Sequence, residues 1–137
     1  MEAEKRMRVP AELDKVYEVQ DFVNEVLEAN DCGMKAQMQI EIAVEELFVN
    51  IAHYAYPNGK GDAEILVSTE GDFVSITFCD HGIPYNPLAK EDPDVTKKAE
   101  DRSVGGLGIY MVKKSMDAMS YEYQDGQNIL TIKKNIH

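Results

Sequence analysis

Residues 63–80 read AEILVSTEGDFVSITFCD. From Ala63 to Thr69, and again from Phe73 to Cys79, apolar and polar residues alternate, the period of a strand with one buried face. Gly71-Asp72 between them is turn chemistry, so the middle of the chain predicts a β-hairpin. A hairpin cannot bury its apolar face alone, and the neighbouring segments must cover it. Upstream, Ile40, Ala43, Val44, Leu47 and Ile51 recur at helical spacing within a helix from about Lys35 to Ala55, ended by Tyr56-Pro57-Asn58-Gly59. Before it, Leu13, Val16, Val19 or Gln20, Val23, Val26 and Leu27 mark another helix. Pro10 suits its first position, and it stops near Asn30-Asp31-Cys32-Gly33. Downstream, strands near 119–124 and 128–134 flank Asp125-Gly126, a strong two-residue turn. A short helix from Ile109 to about Met116 precedes them. Helix, helix, hairpin, helix, hairpin predicts an α+β fold: a two-layer sandwich of one mostly antiparallel sheet with helices on one face.

Length and composition agree with one domain over residues 1–137. Fourteen basic and 25 acidic side chains leave a net charge of −11. Such a surface repels phosphates, which argues against nucleic acid or an anionic membrane as partner. Residues 1–50 carry 12 of the acids and five of the bases, the pattern of a solvated helix face first and, if any face docks a basic protein, of the better candidate for it. Cys32 and Cys79 have no metal or redox spacing. The start has no apolar stretch of a secretory signal, and Phe48 to Gly59 is too short and too broken to span a bilayer. The expected compartment is the cytoplasm.

Three places could carry chemistry. On the second helix Glu46 and Asn50 are four apart and project from one face. There a carboxylate can take a proton and a carboxamide oxygen can hold a hard cation such as Mg²⁺. At the end of the hairpin, Asp80-His81-Gly82 places a carboxylate where a buried strand turns, able to accept from the exocyclic amine of a base beside a glycine that leaves room for a ring. Gly105-Gly106-Leu107-Gly108 opens a helix, where glycines and unpaired N–H groups suit an anion. Between the last two lie residues 84–103, with three prolines and nine charged side chains, the composition of a lid or binding loop. The glycine run lacks the Lys-Ser/Thr of a P-loop and the βαβ setting of a dinucleotide fold.

Taken in order, E-x-x-x-N on a helix, D-x-G after a strand, a polar lid and a glycine loop, the chain resembles the GHKL ATPase superfamily, with the Bergerat fold. Within it the chain is most similar to the RsbW-like anti-sigma factor serine protein kinases. Asp80-His81-Gly82-Ile83-Pro84, with proline at the superfamily's second glycine, looks like that branch. The resemblance implies ATP and Mg²⁺ as cofactors, Glu46 as catalytic base and Asn50 as metal ligand. It implies Asp80 and Gly82 at the adenine, and Gly105, Gly106 and Gly108 around the phosphates. An ATP lid at about 84–104 would bring Lys97, Lys98 or Arg102 to the γ-phosphate. The implied activity is phosphorylation of a serine on a STAS-type anti-anti-sigma protein, with sequestration of a sigma factor and formation of a homodimer. The alternative is a non-catalytic ATP-binding module that holds a partner without phosphorylating it. His53 is assigned no catalytic role, since the branch often places histidine four after the asparagine, where Tyr54 stands.

Overall fold

The computed structural model describes residues 3–89 and 106–137. Among them five strands form one antiparallel sheet in the order β1-β2-β3-β5-β4. These are β1 (Ala3–Pro10), β2 (Asp62–Glu70), β3 (Phe73–Asp80), β4 (Ala118–Gln124) and β5 (Gln127–Asn135). Helices α1 (Val16–Ala29), α2 (Met34–Tyr54) and α3 (Gly106–Ser115) complete the described elements, with 3₁₀ turns at Leu13–Lys15 and Pro87–Ala89.

The core follows the alternation of the sequence. Ile65 and Val67 of β2, Val74, Ile76 and Phe78 of β3, and Ile132 of β5 are all at most 2% exposed, and they pack in one cluster with the helices. The alternate side chains of β2 and β3 are only half-buried, so the helices cover one face, as the order of elements predicted. Phe48 of α2 is fully buried beneath this layer. Deleting a ring from such a site costs about 3–5 kcal/mol.

Both turns behave as expected. Gly71 has φ +58°, and Asp125 and Gly126 have φ 54° and 78°. The second pair matches the type I′ turn, whose twist suits the strands it joins. Cys32 and Cys79 are free thiols. No described helix is long and apolar enough to cross a membrane.

The N-terminus corrects the sequence reading. Pro10 does not start a helix; it ends β1, opposite Asp62. The strand escapes a pattern search because it is an edge strand rich in charge, with only Val9 buried among its described side chains. An edge also tolerates proline's missing N–H. The helix starts later, through the 3₁₀ turn at Leu13–Lys15. It ends where Asn30 Nδ2 donates to the Val26 carbonyl (2.8 Å) and Asp31 takes φ 57°.

This architecture places two ends together. β3, the central strand, finishes at Asp80, paired in register with Asn128 at the start of β5. The Ile83 N–H donates to the carbonyl of Ala55, just beyond α2, at 2.9 Å. The C-terminal end of the long helix is thereby pinned beside the end of the central strand.

Candidate functional site

Glu46 and Asn50 stand one turn apart on α2, both half-buried. Burial pushes the Glu46 carboxyl above its ordinary value, and the neighbouring Glu45 charge adds to the effect. Asn50 Nδ2 is fully buried and has no hydrogen-bond partner among the described residues. Because that amide is unpartnered, no protein bond dictates which end of the carboxamide faces a ligand. Its oxygen can therefore meet a hard cation.

The glycine loop reaches the same place. Gly106 is the first residue of α3, and α3 packs on α2. A Cβ built on Gly108 would lie 2.3 Å from the Glu46 carboxyl carbon. Only a glycine lets the first turn of α3 come so close to that carboxylate. Gly105, Lys97, Lys98 and Arg102 lie outside the described residues, as does the lid from residue 90 onward.

Beyond Asn50, α2 and the sheet line a cleft that opens to solvent and whose walls include both Asn50 and Asp80. Its apolar sides come from Leu47 and Ile51 of α2, Phe78 of β3 and Leu130 of β5. Tyr54, Tyr85 and Tyr121 add aromatic surface, and the first two rings stack with centroids 5.4 Å apart. Asp80 is 5% exposed. Its Oδ1 accepts from the Gly82 N–H and from Asn128 Nδ2, each at 2.9 Å. Neither bond uses Oδ2. An apolar cleft with one carboxylate oxygen to spare suits a planar ring bearing an amine.

Gly82 is positioned differently from the expectation. A Cβ there would fall 2.2 Å from the Ala55 carbonyl oxygen, and Gly82 is not on the wall of the cleft. Its missing side chain makes room for the end of α2, not directly for a ring. The sequence reading also passed over Asn128 and the three tyrosines. A buried asparagine near the start of a strand was the available signal, because asparagine has low strand propensity and needs partners when buried.

One helix face thus joins a carboxylate, an unpartnered carboxamide and an aromatic cleft, with a glycine-rich helix start against the carboxylate. The family model described as the histidine kinase-like ATPase domain matches residues 9–134. The chain belongs to that family.

Within the histidine kinase-like ATPase family, its curated relatives lie on the RsbW-like branch. It is 25% identical over 131 residues to the serine-protein kinase RsbW of Bacillus mycoides, covering 93% of this chain and 82% of the relative. It is 26% identical over 99 residues to the serine/threonine-protein kinase BtrW of Bordetella bronchiseptica, covering 72% and 70%. The solved RsbU and RsbW domains of a Mycobacterium tuberculosis protein superpose with a TM-score of 0.66 at 14% identity. That match covers 98% of this chain and 32% of the larger one, and it carries the fold. ATP use and protein kinase activity follow at the level of the family.

Proposed function

We propose that this chain is an ATP-dependent protein serine kinase acting as an anti-sigma regulatory factor. Its substrate is a serine of a STAS-type anti-anti-sigma protein, and its second partner is a sigma factor that it sequesters. The observation that carries the reading is the approach of Gly108 to Glu46, beside Asn50 and the cleft that ends at Asp80. It brings a carboxylate, a carboxamide and an aromatic-walled cleft into one site.

Asp80 holds the adenine amine, while the tyrosines and aliphatic side chains enclose the ring. Gly105, Gly106 and Gly108 let backbone N–H groups approach the phosphates at the start of α3, where the helix dipole favours negative charge. Asn50 supplies an oxygen ligand for Mg²⁺, which when bound neutralises charge on the phosphates. Glu46, held basic by its partial burial, accepts the serine hydroxyl proton. The serine oxygen bonds to the γ-phosphorus as the bond to the β,γ-bridging oxygen breaks, leaving ADP and phosphoserine. Arg102, Lys97 or Lys98 of the lid meets the charge on the transferring group.

The test is incubation with γ-labelled ATP and the STAS-type proteins of the same genome. Label on a serine, absent with Glu46→Gln, is the expected result. Nucleotide binding and partner capture without label would replace the kinase by a holding module.

A further inference from the structure

We propose that Asn128 is the positioning residue that makes the cleft selective for a purine with an amine, acting through Asp80. The inference rests on the nucleotide reading of the site and goes beyond it by naming what orients the recognising carboxylate.

Asn128 is 6% exposed. Its Nδ2 donates to Asp80 Oδ1 at 2.9 Å and to the Ile83 carbonyl at 2.8 Å. Its Oδ1 accepts from the Tyr85 N–H at 3.0 Å and from the Tyr121 hydroxyl. These four bonds fill the ordinary capacity of a carboxamide. They also fix its orientation, since a flip would face oxygen against the Asp80 carboxylate and the Ile83 carbonyl. Asn128 therefore has nothing left with which to read a base.

What it controls is the acceptor. With Oδ1 of Asp80 engaged by Asn128 and Gly82, Oδ2 is the oxygen available to a ligand. A base with an amine at that point donates to it; a base with a carbonyl there sets oxygen against oxygen. The same amide ties down Tyr85 and Tyr121, two walls of the cleft. One side chain thus sets the acceptor and the shape of the slot together.

Two variants test this, with ADP and inosine diphosphate as probes in calorimetric titrations from pH 5.5 to 8.5. Titratable groups around Asp80 are Tyr56, Cys79 and Tyr121, with His81 next in the chain, so each variant is read as a ratio to the parent at the same pH. The parent should favour ADP by at least about tenfold. In Asn128→Asp the donor is replaced by a second carboxylate. At pH 8.5 ADP binding should weaken at least about tenfold, and it should recover on acidification, when the pair shares one proton and an O–H replaces the lost N–H. A purely structural role for Asn128 would weaken binding equally at every pH.

Should Asn128→Asp fail to fold, Asp80→Asn stands alone. With its oxygen still held inward by Asn128 and Gly82, the new amide presents N–H to the base, and preference should invert toward inosine diphosphate. Unchanged binding of Asn128→Asp, a pH-independent loss, or an Asp80→Asn protein that still prefers ADP each overturns the proposal. A parent protein that binds neither nucleotide overturns the nucleotide reading, and this proposal with it.

Discussion

Glu46 and Gly108 set the chemistry at the scale of single residues. The nearest atoms that a methyl group at Gly108 would meet are the far end of the Glu46 side chain, which can rotate away. Gly108→Ala should therefore keep or slightly raise stability, because alanine is favoured over glycine in a helix by up to about 1 kcal/mol. Phosphoryl transfer should nevertheless fall by about a hundredfold or more, the range of a displaced general base. Thermal melting beside a transfer assay checks both halves. Glu46 itself carries a cost. Burial raises its folded-state pKa, so the folded protein holds that proton to higher pH than the unfolded chain does. Stability from this group is present below the unfolded value and is lost as pH rises through the folded one. Glu46→Gln should melt at or above the parent temperature at pH 7, lose that advantage below about pH 4, and transfer no phosphate. A lower melting temperature at pH 7 would contradict the assignment. Both residues were legible because their spacings are local: four residues along one helix, and glycines at the start of another. Asn128 was not, because its partner Asp80 is 48 residues away and the bond between them exists only once β3 and β5 pair.

At the scale of elements, the site is an agreement between the end of α2 and the end of β3. Gly82 sits where backbone meets backbone, and the Ala55 carbonyl that its missing Cβ would strike also accepts the Ile83 N–H. Neither atom is a flexible side chain that can move aside. Gly82→Ala should cost about 1–3 kcal/mol in denaturant unfolding, as overpacking does, and weaken nucleotide binding by shifting Asp80 and Tyr85 together. A variant of parental stability would show that this junction has slack. The hairpins and the amphipathic helices were readable because alternation and helical spacing are short-range patterns, and Gly71 and Asp125-Gly126 mark the turns. β1 was not readable. Its residues carry a run of charge with little burial, and its strand character comes from pairing with β2 rather than from its own sequence.

At the scale of the whole molecule, one sheet and its helical layer bring to a single cleft residues from α2, β3, β5 and the following loops. A net charge of −11 makes such a protein a poor host for triphosphate except where backbone amides, a metal ligand or lid cations offset it. The order of the motifs along the chain was enough to read this arrangement. The three tyrosines were not, since they come from α2, the loop after β3 and β4 and meet only once those elements pack together. The most direct measurement is the unfolding free energy with and without Mg-ATP, for the parent and for Asp80→Ala. At a hundredfold excess over the dissociation constant the parent should gain about 2.7 kcal/mol and Asp80→Ala should gain nothing. No gain in the parent, or an equal gain in both proteins, would contradict a nucleotide held in the cleft by Asp80.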